Sequence, residues 1–383
     1  MYTAPPPLGA ASARATNGQL TPRVYKVWKG NNIFFLQGRI IFGPDVRSLF
    51  LTVFLIVTPV LIFCALVARK LMADFNKHLG VCIMVFVVFI TLVDLTLLIF
   101  TCGRDPGIVP RNAHPPEPEG EEGLTGVGTG QNPQFRLPRT RDVQVNGMIV
   151  KIKYCDTCML YRPPRCSHCS ICNNCVENFD HHCPWVGQCI GLRNYRFFFM
   201  FIVSTTLLCV YVFGFCWVYI IKIRNSEDIS IWRAMIKTPA SIVLIIYTAL
   251  PFIFVAGLSL FHTYLISTNQ TTYENFRYQY DRRANPYNRG ICANFKEKFF
   301  TCVPPSRNDF RARVELPQAF PDSTVDGGFI SPNMGRAGEE LEIGRKATWS
   351  EAGSGLNMED LENGLGNGRL ETKEDGSGDA DHD

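Results

Sequence analysis

The chain has 383 residues, of which 46% are hydrophobic and 19% charged, with a formal net charge of +4 at pH 7. Such a balance excludes an ordinary single soluble domain and a disordered polyelectrolyte. The small net charge also gives no electrostatic footprint for nucleic acid.

Residues 1 to 22 are rich in Ala, Pro, Gly and Thr and read as flexible. The first 48 residues hold no apolar stretch ending in a small-residue cleavage site, so no removable signal peptide is expected and the first span serves as insertion signal. Four apolar runs are long enough to cross a bilayer: Leu49 to Ala68, Leu79 to Phe100, Phe197 to Ile221 and Ser241 to Ser267. Pro59 lies in the first, and Pro251 with Gly257 in the fourth, where neighbouring helices can satisfy the freed carbonyls and a bent helix can frame a cavity. The fold expected is an α-helical multi-pass membrane protein of four transmembrane helices.

Six lysines and arginines precede the first span and eleven lie in residues 101 to 196. That asymmetry predicts cytosolic termini and a cytosolic central loop. The division expected is a cytosolic segment 1–48, two transmembrane helices in 49–100, a cytosolic loop 101–196, two more helices in 197–267, a juxtamembrane tail 268–313 and a disordered acidic tail 314–383. Residues 112 to 134 are rich in Pro, Glu and Gly and read as flexible, and 351 to 383 carry ten acidic residues against two basic ones. Alternation from Val143 to Lys153 predicts two short strands turning at Asn146-Gly147. Span length separates membranes poorly, and the plasma membrane is favoured over Golgi or ER.

Eight cysteines and three histidines fall between residues 155 and 189. Cys155, Cys158, His168 and Cys175 repeat fourteen residues later as Cys169, Cys172, His182 and Cys189. Each copy reads C-x2-C-x9-H-x6-C, three thiolates and one imidazole, the donor set of a closed tetrahedral zinc site. Two structural zinc ions are therefore expected in a domain of about residues 153–196, in a reducing compartment where thiols persist.

Cys166, His181 and Cys183 are left over. A nucleophilic cysteine needs a base or a positive charge to hold it as thiolate. His181 can be that base and Asp180 can orient it, so Asp180-His181-His182-Cys183 carries an acid, a base and a thiol in four residues. With His182 and Cys189 as ligands, the metal would clamp the backbone on both sides of Cys183. Phe197 opens a membrane span fourteen residues after Cys183, which suggests a substrate with a lipid chain. The alternative is a non-catalytic, membrane-anchored zinc-domain adaptor. A RING-type ligase has different ligand spacing and no use for Cys183.

These residues resemble a known family. The run from Cys155 through Asp180-His181-His182-Cys183 to Cys189, followed by Asn194 and Tyr195, is similar to the DHHC cysteine-rich domain of protein S-acyltransferases. Asp105-Pro106-Gly107, Thr271-Thr272-Tyr273-Glu274 and Asn285-Pro286-Tyr287-Asn288-Arg289-Gly290 resemble the family's flanking motifs. The resemblance covers about residues 24 to 305, and the wording from Gly187 to Phe198 is closest to the plant branch. It implies transfer of a long acyl chain, palmitoyl, from acyl-CoA to Cys183 and on to cysteines of cytosolic or membrane proteins. It further implies His181 as base, Asp180 as its partner, the eight repeat positions as zinc ligands, Thr272 near the aspartate, and the four helices around the acyl chain.

Asp94 and His262, within the second and fourth spans, are expected to be a packing or hydrogen-bonding carboxylate and a structural donor. Cys292 and Cys302 are candidates for acylation themselves. Asn269-Gln270-Thr271 matches a glycosylation sequon, which the cytosolic placement rejects.

Overall fold

The computed structural model describes residues 21–74, 77–116 and 138–314. The acidic tail, apart from Val314, lies outside the described residues, as does most of the two stretches read as flexible.

A short antiparallel pair, β1 (Ile33–Phe35) and β2 (Ile40–Phe42), precedes the first membrane helix. Helix α1 (Val46–Ile62) passes through a π-helical turn, Phe63–Ala68, into α2 (Arg69–Asp74). Within α1, Pro59 has no N–H to satisfy the Leu55 carbonyl one turn back, and the Tyr247 hydroxyl from a neighbouring helix donates to that carbonyl instead at 2.7 Å. Helix α3 spans Lys77–Cys102, so the described residues between the first two apolar runs are helical.

The cysteine-rich segment follows. Strands β3 (Thr140–Val145) and β4 (Met148–Cys155) pair as the expected hairpin, and β5 (Leu160–Tyr161) adds a third strand. Asn146 and Gly147 both have positive φ, 48° and 83°, as the tight turn demands. Two small hairpins come next: β6 (Ser167–Cys169) with β7 (Asn174–Val176), and β8 (His181–Cys183) with β9 (Gln188–Ile190). Helix α4 (Tyr195–Ser226), the short α5 (Ile231–Lys237) and α6 (Pro239–Ser267) complete the bundle. Beyond them lie α7 (Thr272–Asn275) and α8 (Ile291–Phe300).

Four helical segments are long and apolar enough to cross a membrane: Val46–Ala73, Gly80–Cys102, Tyr195–Ser226 and Pro239–Thr268. Each outruns its apolar run because backbone hydrogen bonding propagates into the polar flanks. Phe63, Val67, Leu71, Val87, Leu98, Phe198 and Leu244 form the buried centre of the bundle. Asp94 is buried among them, and its Oδ1 accepts a hydrogen bond from Thr205 at 2.9 Å, the packing role expected of it.

The cysteine-rich segment has little apolar core of its own. Its buried groups are largely the cysteines, with Ile108, Val176, Phe179 and Leu160 between them. Flanking segments cover it. Asp105 caps the amides of Gly107 and Ile108 with one oxygen and pairs with Arg193 at 2.9 Å and the Ser306 hydroxyl with the other. Phe310 packs against Trp28 and Phe34, and Val24 and Tyr25 hydrogen-bond to the backbone of Ala312 and Phe310. The motif expected around Asp105 is thus a junction joining α3, α4 and the chain beyond α8.

Candidate active site and metal centres

The repeat spacing has a simple local cause. In each copy the C-x2-C pair sits on a tight turn, and the x6 interval is a two-stranded hairpin that puts histidine directly opposite cysteine. His168 faces Cys175 across β6–β7, and His182 faces Cys189 across β8–β9.

The structure brings each quartet together, with all ligand atoms within 4.8 Å of one another. In the first, the sulfurs of Cys155, Cys158 and Cys175 lie 3.6, 3.5 and 3.8 Å from His168 Nδ1. In the second, those of Cys169, Cys172 and Cys189 lie 3.8, 3.4 and 3.6 Å from His182 Nδ1. Tetrahedral zinc with ordinary Zn–S and Zn–N bonds has edges of about 3.5 to 3.8 Å. The donor sets therefore fit one metal ion each, with no position left open for water. Cys166 packs beside the first quartet without belonging to it.

His182 also carries a partner for its second ring nitrogen: Nε2 donates to Asp45 Oδ2 at 3.0 Å. A carboxylate behind a metal-facing imidazole fixes tautomer and ring orientation.

His181 Nδ1 lies 2.7 Å from Asp180 Oδ2, and Cys183 is close enough to interact with the imidazole. Asp180 is buried and twice satisfied by Thr272, whose backbone N–H reaches Oδ1 at 2.9 Å and whose hydroxyl reaches Oδ2 at 2.7 Å. Burial alone would push the Asp180 carboxyl up, but the hydrogen bond and charge of His181 outweigh it and hold the carboxyl below its usual range. Burial likewise disfavours a charged His181. The hydrogen bond it donates to Asp180, with the interaction of Cys183 and the Asp180 charge, overrules burial and raises the imidazole to about 9. At neutral pH His181 therefore holds its second proton. Its side chain remains 27% exposed, enough for a reactant to approach.

Thr272 is held in place by a further layer. It begins α7, where Thr271 and Glu274 form a reciprocal capping box. Both Glu274 carboxylate oxygens bind the Arg165 guanidinium, at 2.9 and 2.6 Å, with both groups almost fully buried. Arg165 also donates to the Asn269 side chain and backbone and stacks over the Tyr287 ring at 4.4 Å. Asn285 and Asn294 tie the later segment to the end of α6 by donating to the carbonyls of Thr268 and Ser267. Asn269 is thus buried and fully engaged, a physical reason to reject the glycosylation reading.

His262, expected as a structural donor, is hydrogen-bonded through Nδ1 to the Tyr195 hydroxyl at 3.0 Å, and it lies with Asp180 and His181 in one cluster whose ligand-type atoms are within 4.8 Å. Arg165, Tyr195 and Asn269 also join this polar framework, a part that pattern reading did not assign to them. No spacing marks them, because they converge from the first metal knuckle and the ends of α4 and α6.

Cys183 is buried and opens onto an apolar cavity of about 360 Å³ between α1, α4 and α6. Pro59 and Pro251 both line it, together with Phe201, Cys209 and Val212 deeper in the bundle. Along α4 the wall runs from Phe198 to Val212, which at about 1.5 Å per residue is roughly 21 Å. A buried thiol at the mouth of a deep apolar slot can receive a long hydrocarbon chain.

The bundle and site together define an integral membrane protein with a metal-binding cysteine-rich domain. Residues 149–279 match the DHHC palmitoyltransferase family. Probable protein S-acyltransferase 7 of Arabidopsis thaliana is 65% identical over 93% of this chain and 80% of its own length. Probable protein S-acyltransferase 6 of the same plant is 66% identical over 87% and 81%, and protein S-acyltransferase 8 is 57% identical over 77% and 74%. The chain belongs to the DHHC palmitoyltransferase family, as represented in plants.

Proposed function

We propose that this chain is a protein S-acyltransferase that takes a long acyl group, palmitoyl above all, from acyl-CoA onto Cys183 and passes it to cysteines of protein substrates. The observation that carries this reading is the Cys183 thiol, placed between the His181–Asp180 pair and the apolar cavity. In the first half, the Cys183 thiolate attacks the acyl-CoA carbonyl and a new C–S bond forms. The bond to the CoA sulfur breaks, and the departing thiolate takes the proton of the His181 imidazolium. In the second half, neutral His181 removes the proton of the substrate cysteine, whose sulfur attacks the thioester and expels Cys183. Asp180 keeps Nδ1 protonated, and Thr272 holds Asp180.

Cys155, Cys158, His168 and Cys175 would hold one zinc ion, and Cys169, Cys172, His182 and Cys189 a second. Bound there, zinc supplies folding free energy to a domain with little apolar core. The excess of basic residues around the cysteine-rich end supports cytosolic termini and substrates met at the cytosolic membrane face, with the plasma membrane favoured. The wider division of the chain is proposed as in the sequence reading, with each transmembrane helix lengthened to its full helical segment.

Replacing Cys183 by serine tests this. The purified Cys183→Ser protein should retain two zinc ions and its membrane insertion but form no hydroxylamine-sensitive thioester with labelled palmitoyl-CoA. Continued acyl transfer by that variant would reject the assignment and favour the adaptor reading.

A further inference from the structure

Three polar side chains at the start of α1, Asp45, Ser48 and Thr52, are spaced i, i+3, i+7 and so stand on one helical face. Asp45 occupies the N-cap position yet makes no capping hydrogen bond. Its Oδ2 instead accepts from His182 Nε2 at 3.0 Å. The Ser48 hydroxyl is shared between the Asp45 carbonyl and that of Pro184. Thr52 Oγ1 donates to the Trp185 carbonyl at 2.7 Å. The three contacts land on residues 182, 184 and 185, bracketing Cys183.

Backbone contact reinforces them. Gly187 N–H donates to the Cys183 carbonyl at 2.8 Å and closes the turn. A Cβ on Gly43 would lie 2.1 Å from the Gly187 carbonyl oxygen, and one on Gly187, at φ +74°, would lie 2.5 Å from the Asp45 carbonyl oxygen. The start of α1 and the Cys183 turn are thus pressed together where only glycine fits. The same helix then lines the cavity with Leu55, Ile56, Pro59 and Val60. Asp45 serves the second metal quartet through His182, whereas the Ser48 and Thr52 contacts bear only on the backbone of the Cys183 turn.

We propose that Asp45, Ser48 and Thr52 form a positioning element on the first membrane helix that fixes the Cys183 turn over the mouth of the cavity. This inference rests on the reading of Cys183 as nucleophile. A thiol attacking a carbonyl is sensitive to placement, a displacement of about 1 Å costing on the order of a hundredfold in rate. Loosening these bonds should therefore affect the rate of thioester formation more than the affinity for acyl-CoA.

The test uses the full-length protein in lipid nanodiscs with labelled palmitoyl-CoA as probe. Thr52→Val preserves shape and removes the donor. It should lower the maximal rate of thioester formation about tenfold or more, leave KM for palmitoyl-CoA within about twofold and retain two zinc ions. Thr52→Ser, which restores the hydroxyl, should recover most of the rate. Asp45→Leu should release zinc to a chelator about ten- to a hundredfold faster than wild type, and Asp45→Asn should largely prevent this. A Thr52→Val protein with the wild-type rate, a change confined to KM, or a rate defect that serine fails to rescue would overturn the proposal. So would chelator kinetics indifferent to Asp45. Cys183→Ser is run in parallel: activity in that variant rejects the nucleophile reading itself, whereas an inactive Cys183→Ser beside an unaffected Thr52→Val rejects only the positioning element.

Discussion

The two metal quartets share one sequence pattern and one local geometry, yet they sit in different company. The first packs against Val109 and Leu160 at the end of the β4 strand. The second places His182 between His181 and Cys183 and ties its ring to Asp45 at the start of α1. Identical spacing therefore specifies the donor set and leaves the role to the neighbours. One quartet sits at the entry to the domain, and the other joins the Cys183 turn to the start of the membrane helix.

Ligand removal probes that contrast and should give the largest effects. His168→Ala and His182→Ala should each lower zinc below two ions per chain and reduce the yield of folded protein, because a closed site contributes on the order of 10 kcal/mol to folding. In the fraction that remains folded, His168→Ala should retain measurable thioester formation while His182→Ala retains none. Elemental analysis with an autoacylation assay checks this, and equal residual activity in the two variants would erase the distinction.

Next in size is His181→Ala. It should keep both zinc ions and slow thioester formation by about 10²- to 10⁴-fold, the usual contribution of a positioned acid–base group. The defect should shrink as pH rises, because hydroxide replaces the missing base. Zinc loss from this variant, beside zinc retention in His182→Ala, would reverse the assignment of the adjacent histidines.

Thr272→Val removes one hydrogen bond to a buried carboxylate and leaves the backbone one in place. A fall in rate of about tenfold is expected, in line with a hydrogen bond to a charged group. Zinc content should be unchanged, and Thr272→Ser should restore the rate. Unaltered kinetics would remove Thr272 from the site.

The smallest expected effect is on stability. The His181 pKa is raised above that of an unfolded chain, from 6.5 to about 9. Its charged form then stabilises the fold fully below about pH 6.5, and the contribution disappears as pH rises through about 9. The difference in Tm between wild type and His181→Ala should follow that course between pH 6 and pH 10. A difference that grows with pH would contradict the imidazolium assignment.

Much of this was legible in the sequence, for identifiable reasons. The four membrane spans follow from apolar length alone, the Asn146–Gly147 hairpin from turn chemistry, and the two quartets from a fourteen-residue repeat whose intervals are a knuckle and a hairpin. Cys166, His181 and Cys183 emerged as the groups the repeat leaves unused, with Asp180 beside His181. What could not be read is the long-range polar framework. Arg165 meets Glu274 across more than a hundred residues, and Asp45 meets His182 across an even longer interval. Such pairs have no period. The neighbourhood of His262 was illegible for the same reason, since its position one turn inside α6 says nothing about the histidine that β8 brings beside it.

The central claim is that metal and chemistry are divided among these cysteines and histidines, with eight side chains holding two ions and one thiol carrying the acyl group. It is tested most directly on the wild-type protein, by mapping the thioester formed with labelled palmitoyl-CoA to a single residue by mass spectrometry and counting zinc in the same sample. The expected result is a hydroxylamine-sensitive palmitoyl group on Cys183, with two zinc ions per chain at full acylation. An initial acyl group on Cys166 or on any of the eight ligand positions, or loss of zinc as acylation proceeds, would contradict it.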